Sequence, residues 1–148
     1  MANLEGILDG GHVFPVRVFY EDTDASGIVY YANYLRFAER ARTELLRHIG
    51  FNQSELMAEK GIAFAVRHCS VDYVKPGRLD DCLEVHTRIV EVGGSSLAAE
   101  QSVRRDGADL VAMNLRLVCL NLKGRPTRLP ADVRTALLKC CNTNQRIE

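Results

Sequence analysis

Residues 34 to 50 read YLRFAERARTELLRHIG, and their spacing decides what kind of fold the chain can adopt. Tyr34, Phe37, Ala38, Ala41, Leu45, Leu46 and Ile49 fall three and four apart, the period of an amphipathic helix, with Gly50 as its stop. Arg36, Glu39, Arg40, Arg42, Thr43 and Arg47 occupy the other sides. A helix with one apolar stripe needs a surface to bury it against. Upstream, His12 to Tyr20 alternates Val16, Val18 and Tyr20 against Pro15, Arg17 and Phe19, as a strand with a buried face does. Downstream, a second short helix is predicted from Ser54 to Glu59, closed by Gly61.

Beyond Gly61 the pattern is strand-like almost throughout: IAFAVRHCSVDYV, LDDCLEVHTRIVEVG, SSLAAEQSVRRDG and ADLVAMNLRLVCLNL. Pro76-Gly77, Gly93-Gly94, Asp106-Gly107 and Lys123-Gly124 punctuate the runs with dipeptides suited to tight turns, which predicts an antiparallel meander. Residues 130 to 141 read as a terminal helix with Pro130 near its first turn. The fold class is α+β, an antiparallel sheet covered by the long helix. A sheet wrapped round one helix is a hotdog, but pattern alone does not select it over other α+β sheets. The outer sheet face and the edges favour oligomers.

The totals set bounds. A chain of 148 residues fits one domain, read as residues 1–148. Nineteen basic and nineteen acidic side chains cancel, so no overall field gathers nucleic acid or an anionic membrane. No stretch approaches the roughly 20 apolar residues of a membrane span. The start, MANLEGILDGGHVFP, does not read as a signal peptide, and a cytoplasmic location is expected. Five cysteines at positions 69, 82, 119, 140 and 141 show no CxxC spacing and read as reduced thiols, with Cys119 a small core residue. His12, His48, His68 and His86 have no ligand spacing, so no metal is expected.

Between strand and helix lies YEDTDASGIVYYANY, residues 20 to 34. Gly27 permits a sharp turn, and a helix beginning around Ile28 to Ala32 would present unpaired N–H groups and partial positive charge. A carboxylate just upstream can face such donors as a nucleophile or base faces an oxyanion site. Asp24 or Ser26 would also serve as a simple helix cap, and spacing leaves both readings open.

The run VRVFYEDTDASGIVYYANYLRFAERARTELL resembles the 4-hydroxybenzoyl-CoA thioesterase-like hotdog family, most closely its Tol-Pal system-associated acyl-CoA thioesterases of the YbgC type. The similarity continues through FAVRHCSVDYVKPGRLDDCLEV, GGSSL and GRPTRLP, nearly the whole chain. It implies a hotdog fold and hydrolysis of an acyl-CoA to free acid and CoA. Asp24 takes the position of the family's catalytic carboxylate, as nucleophile or general base. The backbone N–H of Tyr31 takes that of the oxyanion donor, and Gly27 that of the close approach to substrate. Many YbgC-type members have His where this chain has Tyr31. A phenol is a poorer base than an imidazole at neutral pH, so the role falls to the Tyr31 backbone.

Val29, Tyr30, Arg125 and Arg128 are candidate substrate-binding residues, with Arg104, Arg105 and Lys123 further cations for the CoA phosphates. Tyr30 and Tyr34 also read as packing residues at the helix start. The basic run that aryl-CoA thioesterases carry near one turn is replaced here by Gly93-Gly94-Ser95-Ser96, which shifts the search for phosphate contacts elsewhere. Glu39 and Glu44 sit where other hotdog lineages place an acid, yet their spacing to arginines reads as helix ion pairs. The resemblance further implies a homo-oligomer, a tetramer as a dimer of dimers, with no cofactor beyond the CoA of the substrate. A different reading is a scaffold that binds acyl carrier protein or phospholipid-synthesis enzymes with little turnover.

Overall fold

The computed structural model describes residues 6–8 and 11–145; the reading of the first residues as lacking a signal falls partly outside them. The elements are β1 (Gly6–Leu8), β2 (Gly11–Arg17), a 3-10 turn (Tyr20–Asp22), α1 (Asn33–His48), α2 (Gln53–Glu55) running into a wider turn (Leu56–Lys60), β3 (Ile62–Tyr73), β4 (Cys82–Val92), β5 (Ser96–Arg105), β6 (Ala108–Asn121) and α3 (Ala131–Gln145). The strands make one antiparallel sheet in the order β1-β2-β4-β5-β6-β3.

That order corrects the meander. β3 pairs with β6, from Ile62 opposite Asn121 to Tyr73 opposite Val111, and β4 pairs with β2 instead of β3. Pro76-Gly77 is therefore not a hairpin turn but part of a connection that carries the chain from one edge of the sheet to the interior. The other dipeptides do turn tightly. Asp106 and Gly107 both have positive φ, 51° and 82°, the conformation whose twist suits a two-residue hairpin. Tyr20 also departs from expectation: β2 ends at Arg17, the 3-10 turn breaks the alternation, and Tyr20 is exposed.

The inner face of the sheet alternates as a half-buried strand should: Leu83, Val85, Thr87 and Ile89 on β4, Leu97, Ala99, Gln101 and Val103 on β5, Met113, Leu115, Leu117 and Cys119 on β6. Against it lies α1, burying Tyr34, Phe37, Ala38, Ala41, Leu45 and Leu46. The sheet wraps this helix, the hotdog arrangement. Ala38 and Ala41 keep the middle of the helix close to the strands, while Phe37 fills the space nearer its start. One core cluster surrounds the first half of α1; a second gathers Leu45 and Leu46 with Leu97, Leu117, Val133 and Leu137, so α3 completes the core at the far end.

Polar side chains tie the two layers together inside this core. Gln101 donates to the Ala38 carbonyl at 3.0 Å and to Thr87 Oγ1 at 2.9 Å, and its own oxygen accepts from Arg42 at 2.9 Å. Each group is satisfied, so the pairing fixes where along the sheet α1 sits. On β2, Gly11 comes so close to β4 that a Cβ would meet the Thr87 carbonyl at 2.2 Å.

The next residue, His12, is buried, and burial first, then His48, pushes its pKa below the ordinary 6.5, with Glu44 opposing. A histidine held neutral by folding binds more protons when unfolded. Its contribution to stability is present above about pH 6.5 and is lost as the pH falls below that value through the lowered pKa of the folded state. We expect the melting temperature to drop between pH 7 and 5 more steeply in the native chain than in His12→Leu, measured by calorimetry on both. Parallel pH profiles would contradict this.

Candidate active site

The chain leaves β2 and makes its 3-10 turn, and the acid that ends this turn points inward. Asp22 is 5% exposed. Its Oδ2 accepts the Phe19 N–H at 2.8 Å, its Oδ1 accepts Asn33 Nδ2 at 2.9 Å, and its carbonyl accepts the Tyr30 N–H at 2.9 Å. One residue thus joins both arms of the loop to the first residue of α1. Neither Asp22 nor Asn33 stood out in the sequence as a holding pair. The only signal was the surplus of acids in the stretch.

Asp24, two residues on, faces the other way and is exposed. Its Oδ1 accepts the Ser26 N–H at 2.8 Å, its carbonyl accepts the Gly27 N–H at 3.1 Å, and its own N–H donates to Ile28 at 2.9 Å. These bonds close a tight turn and fix the carboxylate, while Oδ2 has no hydrogen bond among the described residues. Gly27 sits at φ +78°, where a side chain would be strained, and a Cβ there would meet no atom of the chain within 4 Å. Its backbone angle, and not crowding, requires glycine.

The helix starts later than its pattern suggested. α1 begins at Asn33, with Ala32 at the cap position and no side chain bonded to its open end. Asp24 and Ser26 therefore cap the preceding turn, not the helix. Tyr31 lies just before this open end. Among the described residues its N–H finds no acceptor, whereas the N–H groups of Val29, Tyr30 and Asn33 donate to Gly77, Asp22 and Tyr30. Its carbonyl accepts the Tyr73 hydroxyl at 3.1 Å.

The crossing connection supports this loop from below. Gly77 accepts the Val29 N–H at 2.9 Å and donates its own N–H to the Tyr34 hydroxyl at 2.9 Å; Leu79 donates to Gly27 at 3.1 Å. Arg105 holds the connection by pairing with Asp81 at 2.6 Å. Tyr34, read from sequence as packing, is buried and also carries this bond; burial raises its pKa, partly offset by Gly77. Tyr34→Phe leaves the Gly77 N–H without its acceptor, and we expect a loss of about 1–2 kcal/mol in unfolding free energy by denaturant titration. No loss would show that the bond does not hold the loop.

Val29 is 3% exposed and packs in the core, so its side chain is not presented at the surface of a single chain. Tyr30 and Tyr31 are exposed and in ring contact at 4.9 Å, and the hydrogen bond to Tyr31 raises the Tyr30 pKa. Arg125 and Arg128 follow the far end of β6, at Asn121 and beside Gly94, whereas the Asp24 loop meets the end marked by Tyr73 and Val111. Ten strand residues separate these ends, about 33 Å. One chain does not bring those arginines to Asp24. Arg104 and Arg105 are paired with Asp109 and Asp81, and Glu44 is paired with Arg47. Among the described residues no three His, Cys, Asp or Glu side chains gather as a metal site would require.

Beside the loop, along α1, runs a mostly apolar cavity of about 460 Å³, lined among others by Leu35, Glu39, Phe64, Val66, Cys69 and Leu117. It begins one helical turn beyond Tyr31 and opens along β3, an edge strand of 12 residues bonded to a neighbour on one side only. Sequence pattern did not reveal it, because its walls come from seven separate elements.

A helix wrapped by an antiparallel sheet, with an acid turn set against the open start of that helix and an apolar cavity alongside, is the architecture of a hotdog thioesterase. The sequence profile described as thioesterase superfamily matches residues 26–112. The chain is 44% identical over 131 residues to the acyl-CoA thioesterase YbgC of Haemophilus influenzae, covering 88% of this chain and 96% of that protein. It is 48% identical over 122 residues to the acyl-CoA thioester hydrolase YbgC of Escherichia coli O6:H1, covering 81% and 90%. A crystal structure of a probable thioesterase from Bartonella henselae superposes with a TM-score of 0.78 at 38% identity, covering 80% of this chain and 98% of that one. The chain belongs to the thioesterase superfamily, in which it is similar to the YbgC proteins.

Proposed function

We propose that the protein is an acyl-CoA thioesterase in which Asp24 acts on the thioester carbonyl and the Tyr31 N–H receives the developing charge. The observation that carries this reading is the pairing of an exposed, fixed carboxylate with an uncapped helix start, where among the described residues one carboxylate oxygen is unbonded and the adjoining N–H has no acceptor. Such a donor, reinforced by the helix dipole, stabilises an oxyanion by typically about 3 kcal/mol. Asp24 either adds to the carbonyl carbon, expelling the CoA thiolate and leaving an anhydride for water to open, or takes a proton from the water that adds. Both routes break the C–S bond and leave a carboxylic acid and a thiol. No group other than the substrate's CoA is needed. The cavity along α1 would take the acyl chain, and Gly27 leaves its side of the turn clear for the substrate.

Arg125 and Arg128 can reach the CoA phosphates only from a neighbouring copy. The β3 edge, with Val66 and Tyr73 exposed, is where we place that neighbour, giving a dimer and by further pairing a tetramer. A cytoplasmic location accords with this substrate, and among the described residues no helix is long and apolar enough to cross a membrane. The test is thiol release from acyl-CoAs of graded chain length and from aryl-CoAs. Turnover of at least one supports the reading. Failure with all of them, and with acyl carrier protein thioesters, would overturn it.

A further inference from the structure

A cation sits inside the mostly apolar cavity along α1. Leu35, Glu39, Arg42 and Leu46 fall four, three and four apart on the helix, share one face of it and all line the cavity. Their exposure falls in that order: Leu35 and Glu39 are exposed at the mouth, Arg42 is half-buried and Leu46 is buried. Arg42 Nη1 donates to Gln101 Oε1 at 2.9 Å, and Gln101 is itself fixed by the Ala38 carbonyl at 3.0 Å. The guanidinium is therefore held between α1 and β5, near the level of Ala38.

Among the described residues Arg42 makes no other hydrogen bond and no ion pair. Burial lowers its pKa from the ordinary value, opposed by Glu39 and then by Cys69, neither of which bonds to it. Arginine keeps its charge in proteins, so a cation stands partly out of water with most of its N–H groups unpaired. That arrangement is costly, and a carboxylate meeting the unused N–H groups would relieve it through charge-assisted bonds. A residue that only packed against hydrocarbon would be a leucine, as at positions 35 and 46. Holding Gln101 takes one N–H group and needs no charge.

Position sets the length of what would fit. Ala38 lies seven residues beyond Tyr31, about 10 Å along the helix axis. At roughly 1.3 Å per bond an extended acyl chain of about eight carbons covers this distance. With the thioester at the Tyr31 N–H, the far end of such a chain arrives beside Arg42.

We propose that Arg42 is a specificity residue that selects acyl groups ending in a carboxylate, so that the preferred substrates include mono-CoA thioesters of medium-chain dicarboxylic acids. The proposal rests on the reading of this cavity as the acyl site and names the class of acyl group it takes.

The experiment measures kcat/KM by thiol release for octanoyl-CoA and for the mono-CoA thioester of octanedioic acid, with butanoyl-CoA and butanedioyl-CoA as the short pair. We expect the native chain to favour the octanedioyl thioester by about 30-fold, the effect of hydrogen bonds to a charged group. The short pair should show no such preference, because its end does not reach Arg42. Arg42→Met, which keeps the length and loses the charge, should abolish the eight-carbon preference, and Arg42→Lys should restore part of it. A ratio of two substrates on one preparation is unaffected by any unfolded fraction, and the chain-length comparison needs only the native chain. Binding of the free acids, followed by calorimetry, does not depend on turnover: octanedioate should bind about tenfold more tightly than octanoate. A chain that hydrolyses no thioester would thus overturn the thioesterase reading while the free acids still decide the role of Arg42. Equal binding of the two acids, equal kcat/KM for the eight-carbon pair, a preference as large at four carbons, or one that survives Arg42→Met would each overturn the assignment.

Discussion

Asp24→Asn is expected to lower kcat for acyl-CoA hydrolysis by at least about 100-fold while leaving the melting temperature within a degree or two of the native value. The asparagine amide keeps an oxygen for the Ser26 N–H, so the turn survives the change. What goes is the charge and the unbonded Oδ2, the parts a nucleophile or base needs. A factor of 100 corresponds to about 2.7 kcal/mol in the barrier. Because the carboxylate is exposed, no core contact is lost. Steady-state thiol release and thermal denaturation on the same preparation check both halves, and an Asn variant with native turnover would remove Asp24 from the chemistry.

Asp22→Ala should behave in the opposite way. Asp22 is buried, and its carboxylate accepts from Phe19 and Asn33, so truncation leaves two donors without partners where water has little access. Each such group costs roughly 1–3 kcal/mol, for a total of about 3 kcal/mol. For a chain of this length that lowers the melting temperature by about 10 °C. Activity should fall as well, because Asp22 sets the spacing between the Asp24 turn and Tyr30, but the loss arises through position and not through chemistry. Asp22→Asn, which can still accept one bond, should recover part of the stability. A melting temperature unchanged in Asp22→Ala would show that the loop is held by the crossing connection alone.

The contrast between these two acids marks how far the sequence could be read. The stripe of α1 was legible because burial on a helix imposes a period that few other constraints produce. The strands were legible one by one for the same reason, but their order was not. A turn dipeptide such as Pro76-Gly77 states that the chain bends and not which strand it then joins, and here the chain crosses to pair with β2. The D-T-D stretch pointed to Asp24 only through its resemblance to known thioesterases. That Asp22 turns inward depends on Asn33, Phe19 and Tyr30 meeting in space. The open start of α1 was placed a few residues early, since Gly27 begins a turn that resembles a helix start in composition. Arg125 and Arg128 looked near the site because charge is visible in sequence and distance is not.

The crossing connection of residues 74 to 81 also governs how the loop moves. It bonds to Val18, Gly27, Val29 and Tyr34, so the floor beneath the Asp24 turn is shared with the interior of the sheet. The amides of Val29, Tyr30 and Gly77 should exchange with deuterium only when the sheet itself opens, on the timescale of global unfolding. Among the described residues the Ser26 amide is held only by the exposed Asp24 carboxylate, and the Tyr31 amide has no acceptor. Those two should exchange in the native state. Slow and fast amides thus lie within a few residues of each other, a rigid platform carrying two hydrogens that a bound thioester would be the first to protect.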